Sequence, residues 1–213
     1  MKNLKKLTIL HSNDMHGDFL QEQVDDKLVG GVSMLSGYIN KVRAEEPNTI
    51  YAIAGDMFRG SVIDSEFMGL STIEIMNMLD PDIATLGNHE FDVGDRAIEN
   101  SWVNAEINRA KFGVENELPQ LLVSNMFIKY AEDGSVIEYT DADIDPANIG
   151  TNAFGAGAYA KTGAVNYSIT EVNGIKIGLF GMTGSNAYGY CKNSDLTRME
   201  CIATANAYSK YLK

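Results

Sequence analysis

Histidine is scarce in this sequence and confined to its first half. The 213 residues hold three, His11, His16 and His89. Imidazole chemistry must therefore come from one of these positions. Cysteine is scarcer still, with Cys191 and Cys201 alone. Two cysteines are too few for a disulfide framework, and their separation is not a zinc-knuckle spacing. Free thiols are expected, with a single bridge only in an exported protein. Basic residues are outnumbered: 17 Lys and Arg face 29 Asp and Glu, a net charge of −12. That deficit excludes duplex nucleic acid, whose phosphates need clustered Lys and Arg, and it disfavours an anionic membrane surface. A small phosphorylated substrate remains compatible, because bound divalent cations reverse the local sign. No apolar run is long enough to span a bilayer. The N-terminal "MKNLKKLTILHSND" has too short an apolar stretch for a secretory leader and no small-residue cleavage site. A cytoplasmic location is expected for the chain as it stands, and a periplasmic or extracellular one if a leader was removed.

What is present is a repeated design. "LTILHSND" (7–14), "TIYAIAGD" (49–56), "DIATLGNH" (82–89) and "LLVSN" (121–125) are apolar, β-rich runs that end in polar residues. Helical patterns lie between them. Ser33 is placed to cap a helix with Met34, Leu35, Tyr38, Ile39 and Val42 on one face, and Ser71 with Glu74 forms a capping-box pattern. "DRAIENSWVNAEINRAKFG" puts Ile98, Trp102, Val103, Ile107 and Ala110 on one side, with Gly113 as its stop. This alternation predicts an α/β fold with helices over a sheet of buried strands. Residues 130–165, rich in Gly, Ala and Asp, read as an insertion of loop and small hairpin. "NYSITEVNGIKIGLFGMT" reads as a hairpin turning at Asn173-Gly174, and 195–213 as a closing helix.

In a sheet of this kind the site lies beyond the carboxyl ends of the strands. Asp14, His16, Asp56, Asn88 and His89 all fall there. Asp14 and His16 share one face of an extended strand end. Carboxylate, imidazole and amide donors together suit a borderline-hard divalent ion, Mn, Zn, Fe or Co, whereas an all-oxygen set would favour Mg or Ca. Each piece alone has an ordinary explanation, such as a turn or an Asx motif. Three pieces ending three strands point to a metal site.

The blocks "LHSNDMHG", "AGDMFRGS", "TLGNHEFDVG" and "VNGIKIGLFGMT" resemble those of the calcineurin-like metallophosphatases, and among them most closely the 5′-nucleotidase family, which includes UDP-sugar hydrolases and 2′,3′-cyclic-nucleotide phosphodiesterases. "GGVSMLSGYINKVRAE" is similar to that family's segment between the first two blocks. The resemblance spans roughly 7–126 and 167–183. It implies a four-layer αββα sandwich, of which 1–213 is the N-terminal portion, with the C-terminal nucleotide-binding domain absent. It implies two divalent metal ions and removal of phosphate from nucleotides or other small phosphoesters through a metal-bridging hydroxide. By the match Asp14 and His16 hold the first ion, Asp56 bridges both, and Asn88 binds the second. His89 is not a ligand but stabilises developing charge, and Asp92 orients its ring. Glu90 and Phe91 are expected to be structural.

The chain departs from the family in one respect. Later family blocks supply two further histidines and another polar ligand, and after His89 this sequence has none. The expectation is half of a dinuclear site, with association or homodimerisation through exposed sheet edges. The alternative is a non-catalytic metal- or phosphate-binding module. Several single residues stay open: His89 as a hydrogen-bonding support, Asp92 as a helix cap, His11 as a packed histidine, a support behind the ligands or a ligand itself, Arg59 as a phosphate contact or a solvated loop cation. Asn125 is read as bracing a loop or touching substrate, and Tyr188 and Tyr190 as stacking on a base or packing.

Overall fold

The computed structural model describes residues 4–127, 131, 133, 135, 140, 145–149, 157–191, 194 and 196–213. Its strands are β1 (Thr8–Ser12), β2 (Glu22–Val24), β3 (Lys27–Val29), β4 (Thr49–Ile53), β5 (Ile83–Ala84), β6 (Gln120–Leu121), β7 (Met126–Phe127), β8 (Ser168–Val172), β9 (Ile175–Leu179) and β10 (Thr197–Arg198). The α-helices are α1 (Gly31–Glu45), α2 (Val62–Phe67), α3 (Leu70–Asn77), α4 (Asp95–Phe112), α5 (Ser185–Tyr188) and α6 (Cys201–Tyr211). Short 3₁₀ segments form at His89–Phe91, Pro146–Asn148 and Gly157–Thr162.

The centre is a parallel sheet in the order β1-β4-β5-β6. Parallel strands need both faces covered and crossovers between them. Accordingly α1 connects β1 to β4, α2 and α3 connect β4 to β5, and α4 connects β5 to β6. Tyr51, Ile53 and Ala84 from the sheet meet Ile39 of α1, Ile73 and Met76 of α3, and Ile98 and Trp102 of α4 in one core. Arg43 of α1 pins the entry to β5: its Nη1 lies 2.8 Å from Asp80 Oδ2 and its Nη2 3.2 Å from Asp82 Oδ2, and Asp82 also accepts the Tyr51 amide. The α/β fold and its parallel sheet are as the sequence predicts, and all four loops at the carboxyl ends of β1, β4, β5 and β6 open on the same edge.

The hairpin β8–β9 turns at Asn173 and Gly174, both with positive φ (47° and 76°), as expected of a type I′ turn. Gly113 ends α4 in the left-handed conformation. Other expectations are corrected. Helix α1 starts at Gly31 after Gly30, so Ser33 lies inside it rather than capping it. Its inward stripe is Val32, Leu35, Ile39 and Val42, while Met34 and Tyr38 lie one step around the helix and face water. Ser71 is likewise internal to α3, which follows Gly69; its hydroxyl donates to Ile63 O, and Glu74 accepts from Asn108 instead of closing a capping box. In α4 the buried stripe is Ile98, Ser101, Trp102 and Ala105, with Ile107 and Ala110 exposed. The fourth strand shrinks to Gln120–Leu121, because Leu122 already turns to a lone bridge with Val165. The closing helix begins only at Cys201, capped by Glu200; Thr197–Arg198 pair with β7 first. The hairpin β2–β3 and helix α2 were not anticipated. Most of 130–165, and with it the expected hairpin there, lies outside the described residues.

Strand β1 is an edge of the sheet, and its outward residues Ile9 and His11 are exposed. The packed position expected for His11 is therefore not adopted: strand alternation turns its side chain away from the core. Among the described residues, no helix is long and apolar enough to cross a membrane.

Candidate metal centre

The loops after β1, β4 and β5 meet because their backbones are stitched together. The Asp14 amide donates to Gly55 O (3.1 Å), the His16 amide to Asp56 O (3.2 Å) and the Gly17 amide to Met57 O (3.0 Å). The Asp56 carboxylate in turn accepts the His89 amide at 3.0 Å. A close approach of backbones requires the glycines. A Cβ on Gly55 would overlap the Gly87 amide, and one on Gly87 would overlap the Asp56 carboxylate. Asp14, His16 and Asp56 all sit at positive φ (52°, 49° and 52°). Such a conformation in non-glycine residues is strained and persists only where the surroundings enforce it.

Glu90 is the enforcing group. Its side chain is fully buried, and its carboxylate accepts four backbone amides: Asp56 (3.0 Å), Met57 (2.6 Å), Phe58 (3.2 Å) and Gly87 (2.6 Å). One side chain thereby ties the loop after β4 to the loop after β5. Burial pushes the Glu90 pKa up; the Gly87 and Phe58 amides pull it down, the Asp56 charge pushes it up again, and the Met57 amide opposes. Phe91, beside it, has no exposed surface and packs into the core. The expectation that both residues are structural agrees with these contacts.

The result is a cluster. One donor atom each from His16, Asp56 and His89 lie within 4.8 Å of one another. The two imidazoles meet edge to face with centroids 4.9 Å apart. His16 Nδ1 contacts Phe58 O at 3.0 Å, which leaves Nε2 as its outward atom. His89 Nδ1 contacts Asp92 Oδ2 at 2.7 Å, leaving its own Nε2 outward. A carboxylate on the remote nitrogen of an imidazole is the usual support of a metal-binding or proton-exchanging histidine. Two imidazoles and a carboxylate fit a borderline divalent ion such as Zn, Mn, Fe or Co.

Asp14 lies beside the cluster rather than in it: its Oδ1 is 3.8 Å from His16 Nε2, its Oδ2 accepts from Asn13, and half of its side chain faces solvent. Asn88 precedes the His89–Phe91 turn, half-buried, and its carbonyl accepts the Phe91 amide. Asp92 does not cap α4; that position is Gly94. Asp92 Oδ2 meets both His89 and the Arg59 guanidinium, the latter at 3.2 Å. Asn125 is a brace: its amide nitrogen donates to Thr183 O (2.9 Å) and its oxygen accepts the Thr183 amide (3.0 Å). Tyr188 donates to Leu196 O and lies against the Arg198 guanidinium, and Tyr190 is exposed.

Asp64 was missed. This buried carboxylate accepts the Arg59 amide (2.6 Å) and the Thr72 hydroxyl (2.6 Å), and so fixes the turn that carries Arg59. Its signal was available in "SVID", where Ser61 caps α2 by accepting the Asp64 amide. Cys191 packs against the core, and both cysteines are free. Burial, then the charges of Asp95, Asp56, Glu90 and Asp92, push its thiol up to about 11.

The family profile of the calcineurin-like phosphoesterases matches residues 7–145. Mouse 5′-nucleotidase is 40% identical over 97 residues, covering 42% of this chain and 17% of that protein. The trifunctional nucleotide phosphoesterase YfkN of Bacillus subtilis is 28% identical over 182 residues, covering 83% of this chain and 11% of that protein. The chain thus covers less than a fifth of either relative. Among solved structures, the 5′-nucleotidase precursor of Thermus thermophilus superimposes with a TM-score of 0.67 at 21% identity, over 97% of this chain and 34% of the other. At that identity the likeness establishes the fold.

Glu90→Gln puts an amide NH₂ against two of the four backbone donors. With hydrogen bonds to a charged group contributing about 1.5–3 kcal/mol each, the loss is expected to exceed about 3 kcal/mol. At roughly 2–4 °C per kcal/mol for a chain of this size, the melting temperature followed by circular dichroism should drop by more than about 6 °C. An unchanged melting curve would show that the clamp is dispensable. Iodoacetamide at pH 8 should leave Cys191 unmodified over times that label a free cysteine, as read by peptide mass spectrometry; rapid labelling would contradict its raised pKa.

Proposed function

The chain belongs to the calcineurin-like phosphoesterases, and on that premise we propose that it forms part of a metal-dependent phosphoester hydrolase of the 5′-nucleotidase type. The observation that carries the reading is the convergence of His16, Asp56 and His89 donors within 4.8 Å at the carboxyl edge of a parallel sheet. The names of the relatives, nucleotidase and nucleotide phosphoesterase, favour a nucleotide as the substrate.

His16 and Asp56 supply ligands to a divalent ion, Asp14 lies within reach of the His16 side, and Asn88 extends the set from the next loop. Divalent ions at such a site supply Lewis acidity toward a phosphoryl oxygen and lower the pKa of a bound water. His89 has a double chemical identity. Its donor atom belongs to the metal-ligating group by distance, and its Asp92 contact suits a proton-exchanging imidazole. We assign it the second role. Asp92 holds the ring in place through Nδ1, and Nε2 stabilises charge on the phosphoryl oxygens or gives a proton to the leaving alkoxide. Four ligands, His16, Asp56, Asp14 and Asn88, are few for a dinuclear centre, so on this reading the chain contributes one half of it.

Calorimetric titration of the purified chain with Mn²⁺ is expected to show one weakly bound ion, lost on Asp56→Ala. Tight binding of two ions would contradict the half-site reading, since the four ligands then would not be the limiting set. No binding at millimolar Mn²⁺, or binding unaffected by Asp56→Ala, would sink the metal reading altogether and leave a non-catalytic module.

A further inference from the structure

One turn, Phe58-Arg59-Gly60, reaches both imidazoles of the cluster. The Phe58 carbonyl oxygen lies 3.0 Å from His16 Nδ1. Gly60 lies against the same residue, because a Cβ there would come within 2.8 Å of the His16 Cβ and carbonyl oxygen. Arg59, between the two, turns to the other ring. Its Nη1 lies 3.2 Å from Asp92 Oδ2, the oxygen that contacts His89 Nδ1 at 2.7 Å. A carbonyl and an ionised carboxylate can only accept, so each neutral imidazole carries its proton on Nδ1. Each ring is left with Nε2 for the site.

The turn is fixed from outside the site. Its backbone is in the left-handed half of φ space at Arg59 (64°) and Gly60 (138°). The Arg59 amide donates to the buried Asp64 at 2.6 Å, and Asp64 accepts the Thr72 hydroxyl from α3 at 2.6 Å. A left-handed arginine persists only where its surroundings enforce it, and a merely solvated cation needs no such support. The Arg59 side chain is 62% exposed, so its ion pair adds little to stability. What the pair constrains is a direction. A guanidinium and an imidazole on one carboxylate oxygen hold that oxygen more closely than either does alone. Arg59 stands behind Asp92, on the side of the ring away from Nε2, where a support belongs and a substrate contact does not.

We propose that Arg59 is a positioning residue for His89 and acts through Asp92. It keeps Asp92 Oδ2 on His89 Nδ1, and so keeps the His89 proton on Nδ1 and the ring edge-on to His16. The turn 58–60 thereby sets both imidazoles, one with its own carbonyl and the other with a cation relayed by a carboxylate. The functional side of this rests on the reading of His89 as the imidazole that serves the phosphoryl group: a ring free to exchange its nitrogens would present the wrong one for part of the time.

The test is nitrogen NMR of the metal-free chain, grown with ¹⁵N-histidine, at about pH 9, well above the about 6.5 of a free imidazole. Two-bond couplings from the ring protons show which nitrogen is protonated, and His11→Gln and His16→Gln assign the signals. His16 and His89 are both expected as Nδ1–H tautomers in the wild type. In Arg59→Ala the His89 ratio should move toward Nε2–H by about two- to fivefold, the size of one lost exposed ion pair. His16 should stay as it was, and Arg59→Lys should restore His89. An unchanged His89 in Arg59→Ala, or one moved further toward Nδ1–H, would overturn the proposal, since Asp92 would then hold the ring unaided. A shift of both rings would overturn it too, because that is the effect of loosening the whole turn; Asp64→Asn gives that pattern for comparison. The readout needs neither metal nor turnover. A failed Mn²⁺ titration therefore leaves it standing, and its own failure leaves the metal reading untouched.

Discussion

A buried carboxylate that collects four backbone amides is the constraint on which the rest of this site depends. Glu90 draws the Asp56, Met57, Phe58 and Gly87 amides toward one point. A buried charge is tolerated only when its lone pairs are filled, so the two loops must arrive together or Glu90 is left uncompensated. That requirement fixes the left-handed conformation at Asp56, and through the Asp56–His16 backbone bond it carries to the loop after β1. His16, Asp56 and His89 come from three different strand ends, and they meet because a fourth residue, with no chemistry of its own, is too unfavourable to leave unpaired.

The same need for close approach explains the glycines and the edge. Gly55 and Gly87 lie back to back, and a methyl on either would displace the other's backbone or the Asp56 carboxylate. These loops also anchor themselves by burial, through Phe19, Met57, Phe58, Leu86 and Phe91. They are held from below by the parallel sheet and by the helices α1, α3 and α4, whose core residues were arranged for packing alone. The structure thus divides its labour: hydrophobic burial sets the sheet, and polar clamps set the loops at its carboxyl edge.

Much of this was legible in the sequence. Polar residues at a strand end forgo burial, and "SNDMHG", "AGDMFRG" and "LGNHEFD" repeat that sacrifice three times, so the location of the site followed from the pattern. The turn at Asn173-Gly174 followed from the two positive φ values it needs. Helix starts did not follow. Ser33 and Ser71 look like caps by residue type, yet glycines three and two positions earlier take the cap because tertiary packing lets the helix begin sooner. The helix faces drifted for the same reason, and Met34, Tyr38 and Ile107 are exposed. Glu90's four partners were out of reach too, because a side chain accepting from backbone far along the chain leaves no periodic mark. Nor did the sequence show that His89, rather than Asp14, would complete the close group of donors.

The central claim is that the Glu90 clamp holds His16, Asp56 and His89 in one place and that His16 there presents its imidazole nitrogen to a divalent ion. Pulsed electron paramagnetic resonance of the Mn²⁺-loaded chain, grown with ¹⁵N-histidine, tests it directly. Hyperfine coupling to histidine nitrogen, present in the wild type and lost in Glu90→Gln, is the predicted result. A Mn²⁺ signal with no histidine coupling would mean that the ion binds exposed carboxylates elsewhere, and that the cluster at the sheet edge is not a metal site.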